Sequence, residues 1–316
     1  MNAVMSSLLL FSVLFPQKGW FTPNEPINIH VKPAGEVSLL LADFGGRSID
    51  SKGSVVVTSE KTVDIKSLFP DIVTPGTYLL YAVPKDKPNK DFVGTPLVIS
   101  VRSDTRTGAQ PGVMVVKVSP LCYATMTTDK GPMMMAFYYD VAPHTVENFL
   151  SLAEARFYDG LNFNRIVKDF IIQGGDPRGD GTGGPGYTVE AEFNERPHVA
   201  GVVSMSRQTD PNEAGGAMPR SDFANSAGSQ FFICLDYKKT QQLDRRYTAF
   251  AKVMNGMDTI KAIAAVPIAD EHDGTPKEPP KIVKVEIRPV TATENPYPLM
   301  IEQIHPSTIA PGTISP

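Results

Sequence analysis

Apolar and polar residues alternate with a period of two along most of this chain, the spacing of half-buried strands. Ile27, Ile29 and Val31 alternate with polar neighbours, and an apolar run over 37–41 ends at the glycine pair Gly45 and Gly46. Short apolar segments follow at 55–57 and 63–65, then at 78–83 behind Pro75 and Gly76, and at 97–101 behind Gly94 and Pro96. Strands at this spacing, punctuated by Pro and Gly turns, predict a small immunoglobulin-like β-sandwich over residues 16–102, with Trp20 in its core. The polar, turn-rich stretch 103–112 has no apolar period and reads as a linker.

A second domain, 113–290, is expected to open with strands around 113–118, 123–127 and 133–139, the last two joined by a hairpin turn at Asp129 to Gly131. Helical spacing first appears behind Pro143, placed where a first-turn proline belongs. Val146, Phe149, Leu150 and Ala153 then recur at i, i+3, i+4 and i+7 and predict an amphipathic helix ending near Arg156. A shorter helix is expected over about 257–265, and Val283, Val285 and Ile287 alternate with charges as a closing strand. One early and one late helix in a strand-rich domain fit a closed β-barrel plugged at both ends. Residues 291–316 are proline-laden with no periodic apolar face and read as a flexible tail.

The apolar run Leu8 to Phe15 has the length of a signal-peptide core, yet no Lys or Arg precedes it and no small-x-small site follows. Residues 1–15 therefore read either as an export signal, placing the protein in a periplasm or cell envelope, or as the entry to a first strand in a cytoplasmic one. No apolar run approaches the length of a membrane span. The 316 residues carry a net charge of −4, so no global basic field favours nucleic acid. Cys122 and Cys234 sit in apolar, strand-like contexts without CxxC spacing and are expected as buried free thiols. The five histidines are scattered without an HExxH pattern, so no metal site is expected.

Several motifs dissolve on inspection. The run from Gly179 to Gly184 satisfies GxGxxG, but Pro185 and Gly186 follow where a dinucleotide fingerprint needs a helix. Asp176 and Asp180 have calcium-loop spacing, but the twelfth position is Tyr187. Ser226 and Ser229 have no nearby base to activate them. An apolar slot containing few polar groups remains. Phe163, Phe170, Ile171, Phe231, Phe232, Leu243 and Phe250 surround Arg165 and Gln173, with alternation placing Phe163 and Arg165 on one face. An arginine in such a strand either snorkels to solvent or faces a cleft, and periodicity leaves both open.

Six motifs occur in cyclophilin order and spacing. They are Phe157 to Gly160, Phe163 to Arg165, Phe170 to Asp176, Gly181 to Gly184, Gly201 to Met205, and Gly228 to Cys234. From about 120 to 290 the chain resembles a cyclophilin-type peptidylprolyl cis-trans isomerase of bacterial pattern. The resemblance implies an eight-stranded barrel capped by two helices, proline-containing polypeptide segments as substrates, a role in protein folding, and no cofactor. By the same resemblance Arg165 is the catalytic arginine and Gln173 the substrate-positioning glutamine. Phe170, Ile171, Phe232 and Leu243 wall the proline pocket; Ser206 and Arg207 lie beside the substrate backbone; Gln230 precedes the aromatic pair; and Tyr247 stands where a histidine is frequent. Gln242 replaces a frequent tryptophan, which argues against tight binding of cyclosporin. Residues 213–225 are an insertion, expected to narrow the choice of residues before proline. A proline-binding module without turnover, directed by the N-terminal domain, is the alternative.

Overall fold

The computed structural model describes residues 12–53, 55–86, 91–104, 110, 112–213, 217–270 and 272–304. Two compact units emerge. The strands of the first are β1 (Leu14–Pro16), β2 (Trp20–Phe21), β3 (Asn28–Val31), β4 (Val37–Asp43), β5 (Ser48–Ile49), β6 (Val56–Val57), β7 (Lys61–Asp64), β8 (Gly76–Pro84), β9 (Leu97–Ser103) and β10 (Met114–Pro120). They form a three-stranded sheet, β1-β3-β7, and a seven-stranded one, β2-β10-β9-β8-β4-β5 with β6 also on β4. Alternate residues of both, including Leu14, Ile29, Leu41, Leu80, Ile99 and Val118, enter one apolar cluster. The division into three and seven strands departs from the roughly four-plus-three arrangement of an immunoglobulin constant domain.

Three features of this unit differ from expectation. Residues 114–120, assigned from sequence to the second domain, are a strand of the N-terminal sheet, with Val116 opposite Phe21 and Lys117 opposite Trp20. The polar stretch 103–112 thus connects neighbouring strands of one sheet, a role with the same composition as a linker; 105–109 and 111 lie outside the described residues. Trp20 is half-buried on the short β2, with the cations of Arg102 and Lys117 at 5.6 and 5.1 Å from its ring, rather than packed in the core. Within the expected flexible tail, Tyr297–Ile304 is a helix that belongs to this unit and buries Tyr297 and Met300, the Tyr297 ring meeting Phe44 edge-on, while residues 305–316 lie outside the described residues. Of the apolar N-terminal segment, residues 1–11 lie outside the described residues, and Leu14 is fully buried in β1.

The second unit carries β11 (Cys122–Thr128), β12 (Gly131–Phe137), β13 (Arg165–Val167), β14 (Ile171–Gly174), β15 (Val202–Met205), β16 (Phe231–Cys234), β17 (Ala249–Asn255) and β20 (Ile282–Pro289), with a small hairpin of β18 (Ile268–Asp270) and β19 (Thr275–Pro276). The eight main strands form one antiparallel sheet ordered β13-β14-β16-β15-β17-β12-β11-β20. Its path is open where sequence predicts a closed barrel. Between its two ends stand an isolated bridge, Asn162 to Lys281, and the Gly160 N–H on the Ile282 carbonyl, while the Ile166 N–H of β13 donates to the Gly274 carbonyl at 2.7 Å.

The two expected helices are Pro143–Glu154 and Met257–Ala264. The first has Pro143 in its first turn and no side-chain cap from Ala142. Glu192 supplies that function from afar, accepting the His144 and Thr145 N–H groups at 3.0 and 2.8 Å. Val146, Phe149 and Ala153 are buried as their spacing predicts, whereas Leu150 is only half-buried and Leu152 is buried in its stead. Both cysteines are free and buried, and burial pushes the Cys122 thiol up to about 12. No helix among the described residues is long and apolar enough to cross a membrane.

Candidate functional site

One rung of the main sheet crosses four strands: Arg165 pairs with Gln173, Gln173 with Phe232, and Phe232 with Ser204. Partners across a ladder share a face, and alternation adds Ile171, two residues before Gln173. The opposite face carries Ile166, Ile172, Ile233 and Val203, paired in turn and all buried. Phe163 belongs there: its ring meets Phe231 edge-on, and Phe231 and Phe250 both pack on Phe149. The sequence expectation that Phe163, Phe231 and Phe250 line the slot with Arg165 is therefore corrected. Residues 163 and 164 precede β13, so strand alternation does not extend from Arg165 back to Phe163.

The side chains on the Arg165 face are held individually. The Arg165 Nε donates to the Asp273 carbonyl at 3.2 Å, and no hydrogen bond joins it to Gln173. Its half-buried guanidinium is thus oriented by backbone of the 268–276 hairpin rather than by the glutamine. Gln173 donates instead to Gln230 Oε1 at 2.9 Å. Gln230 donates onward to the Gly181 and Gly183 carbonyls at 3.0 and 2.8 Å. That loop hangs on the buried carboxylate of Asp176, which accepts from the Arg178 and Gly181 N–H groups. A Cβ on Gly183 would sit 2.0 Å from Asp176 Oδ1, so the run resembling a dinucleotide fingerprint is a backbone cradle for a glutamine amide. Gly175, at φ +84°, ends β14 where a side chain would strike the Ser229 carbonyl.

Phe232, Ile171 and Leu243 are buried, while Phe170 is half-buried in the turn between β13 and β14. Tyr247 presents its ring to Phe232 edge-on at 5.5 Å, and His198 lies parallel to Phe232 at 6.1 Å. Behind Phe232, His198 bonds Asp244 through Nδ1 at 2.9 Å and Ser204 Oγ through Nε2 at 3.1 Å. Burial holds the imidazole pKa below its ordinary value, only partly opposed by Asp244. Ser204, the last member of the rung, is fully buried, so this Ser-His-Asp series braces the phenylalanine and exposes no nucleophile.

Ser206 follows the C-terminal end of β15, its N–H donating to the Gln230 carbonyl at 2.9 Å. Arg207 lies over the Tyr247 ring at 4.3 Å and donates to Glu213 Oε1 at 2.6 Å. Arg246 reaches the same oxygen at 2.8 Å. Burial pushes the Glu213 carboxyl up, but the Arg207 hydrogen bond and both guanidinium charges outweigh it and leave the pKa below the carboxylate norm. Asp210, also buried, pairs with Arg220, whose hydrogen bonds hold its carboxyl far below the usual range. Gln242 is exposed and donates to the Lys239 carbonyl. Beside Leu243 and Tyr247 opens a cleft of about 470 Å³ bounded by residues of the 209–213 arm.

Sequence reasoning missed Asp273, Asp176, His198, Asp244 and Glu213 as supports. Asp176 and Gly183 carried a visible signal, an acid followed by a glycine-rich turn, but the others act through loops at separations from 6 to 108 residues with no period. Among the described residues no group of three or more His, Cys, Asp or Glu is placed to hold a metal.

Against known proteins, the family model described as cyclophilin type peptidyl-prolyl cis-trans isomerase/CLD matches residues 123–287. A peptidyl-prolyl cis-trans isomerase of Synechococcus elongatus is 42% identical over 129 residues, 41% of this chain and 78% of the relative. One from Helicobacter pylori is 37% identical over 139 residues, covering 43% and 76%. Peptidyl-prolyl cis-trans isomerase-like 3 of Gallus gallus is 35% identical over 180 residues, covering 55% and 98%. Among solved structures, a cyclophilin type isomerase of Cryptosporidium parvum determined in the presence of the dipeptide Ala-Pro is 27% identical, with a TM-score of 0.46 over 53% of this chain and 99% of that one.

Proposed function

The chain belongs to the cyclophilin-type peptidyl-prolyl cis-trans isomerases, and from that premise we propose that Arg165, with Gln173, carries the reaction on the outward face of the β13-β14-β16 sheet. The protein is an isomerase that accelerates rotation about X-Pro peptide bonds. Its substrates, on this reading, are proline-containing polypeptide segments.

The barrier to be lowered is about 20 kcal/mol, because the prolyl nitrogen shares its lone pair with the carbonyl. In the twisted state that pair returns to nitrogen, which becomes a better acceptor. A donor aimed there, or at the swinging carbonyl oxygen, binds the twisted state more tightly than either planar isomer, and that difference is the catalysis. Arg165 suits the task. It presents a rigid fork of donors, of which the Nε is held by the Asp273 carbonyl. Phe170, Ile171, Phe232 and Leu243 form the apolar seat for the ring, and exclusion of water there strengthens the field of the cation. Gln173, fixed by Gln230, offers its amide oxygen to a substrate backbone N–H. Ser206 and Arg207 border the path of the chain, with Tyr247 closing the pocket behind Phe232.

The observation supporting this assignment above others is the rung itself, which sets Arg165, Gln173 and Phe232 side by side on one face. The test is cis–trans exchange of an Ala-Pro peptide, followed by NMR, with and without the full-length protein. Faster exchange is expected, and peptide binding without faster exchange would overturn the catalytic assignment.

A further inference from the structure

Resting on the isomerase reading, we propose that Glu213 is a positioning residue for the reaction, setting Arg207 and through it the wall of Tyr247 and Phe232 on which the prolyl ring is seated. The Arg207 side chain is only 2% exposed, and its guanidinium lies over the Tyr247 ring at 4.3 Å. Tyr247 meets Phe232 edge-on at 5.5 Å, and Phe232 stands opposite Gln173 on the rung. The place of the guanidinium is therefore passed to the reacting face through two ring contacts. Two backbone carbonyls hold part of it: Nε donates to Arg246 and Nη1 to Gln208.

The compensating charge comes from Glu213. Among the described residues it is the one acid paired with Arg207, at 2.6 Å, and with Arg246, at 2.8 Å, both on Oε1. Two guanidiniums that share an oxygen repel each other, and the carboxylate between them keeps both in place. Without it Arg207 is a buried cation beside a second cation, an arrangement relieved only by leaving the Tyr247 ring. Arg246 also donates to the Glu213 and Ala217 carbonyls, so the start of the insertion is bound into the same cluster. Glu213 Oε2 is buried and has no hydrogen-bond partner among the described residues. A glutamine in its place keeps the shape and the shared Oε1 acceptor, and deletes the charge alone.

The experiment uses the full chain and a peptide whose residues flanking proline are all Ala, so that side-chain selection plays no part. Glu213→Gln is expected to lower kcat about tenfold with KM changed less than about twofold, because a ring seated askew from Arg165 loses contacts made only in the twisted state. Adding Arg246→Gln removes the repelling cation and should restore most of the lost rate, whereas two independent structural losses would compound. The Arg207 Nε–H resonance, assigned by its disappearance in Arg207→Lys, should be protected from solvent exchange in the wild type and unprotected in Glu213→Gln. Should Glu213→Gln fail to fold, Arg207→Lys carries the test: it keeps a cation for Glu213, loses the plane over Tyr247, and should show the same fall in kcat. Wild-type kcat in either variant, equal protection of the Nε–H, or a double variant slower than Glu213→Gln overturns the positioning role and leaves the isomerase assignment standing. No exchange by the wild type removes both.

Discussion

Arg165→Ala is the sharpest test of the site. Among the described residues the side chain makes one hydrogen bond, Nε to the Asp273 carbonyl at 3.2 Å, from a half-buried position. A hydrogen bond involving a charged group contributes about 1.5–3 kcal/mol when well formed. This one is long and partly solvated, so its loss should cost stability no more than about 1 kcal/mol and leave the fold intact. The transition state is another matter. Removal of one preorganised donor from a site that excludes water costs about 2.7–4 kcal/mol in characterised enzymes. Partial exposure of Arg165 places it near the lower end, about 2–3 kcal/mol. At about 1.36 kcal/mol per decade this predicts a fall in kcat/KM of about 30- to 160-fold. Arg165→Lys should recover only a small part, since it keeps the charge and loses the planar fork. The assay is NMR exchange on an Ala-Pro peptide, with thermal unfolding of each variant in parallel. An Arg165→Ala protein that folds and retains full rate refutes the assignment.

Phe232→Ala removes the edge contact to Tyr247 and the stack on His198 at once, so denaturant unfolding should show a loss of about 3–5 kcal/mol together with reduced kcat/KM; unchanged stability would mean the ring is not packed as described. Gly183→Ala forces a Cβ against Asp176 Oδ1, and overpacking of about 1–3 kcal/mol should appear in unfolding with a severalfold loss of activity through Gln230 and Gln173. For His198, burial lowers the folded pKa, so between that value and the unfolded value of about 6.5 the unfolded chain binds the extra proton. Stability is full above about pH 6.5 and declines as pH falls below it. The denaturant midpoint should therefore be lower at pH 5.5 than at 7.5, and His198→Gln should flatten that difference; an equal slope in the variant would sink the argument.

The outward rung was legible because chemically distinctive residues stand close in sequence: Arg165 and Gln173 are eight residues apart, joined by a hairpin. The helix 143–154 was legible because four apolar positions repeat at helical spacing behind a proline. Residues 114–120 were assigned to the wrong unit because alternation identifies a strand without naming its neighbours, and a polar connection within a sheet looks like a linker. Trp20 misled through its size: β2 has two residues, and between Arg102 and Lys117 the indole serves cations at an edge. The helix Tyr297–Ile304 rests on two buried side chains three residues apart, too little for a period to register, and Pro298 is tolerated because it falls in the first turn. Glu213 and Asp210 act through ion pairs across loops, for which the sequence holds no repeating signal.

The division of labour between the two faces makes register the decisive property of this sheet. Ile172 and Gln173 are adjacent in β14, yet one meets Ile166 and Ile233 in the core and the other meets Arg165 and Phe232 at the site. A slip of one residue would drive the amide inward and the isoleucine outward, destroying core and site together. The large interior rings of Phe163 and Phe231 oppose such a slip, because Gly174 is the only β14 residue that lets Phe163 approach: a Cβ there would lie 3.1 Å from its ring. The same packing that stabilises the sheet therefore fixes where the guanidinium stands relative to the phenylalanine pocket. Gly174→Val should then disturb activity as strongly as a substitution in the pocket, although its side chain would point away from the substrate. A fully active, fully stable Gly174→Val protein would show that register is set elsewhere.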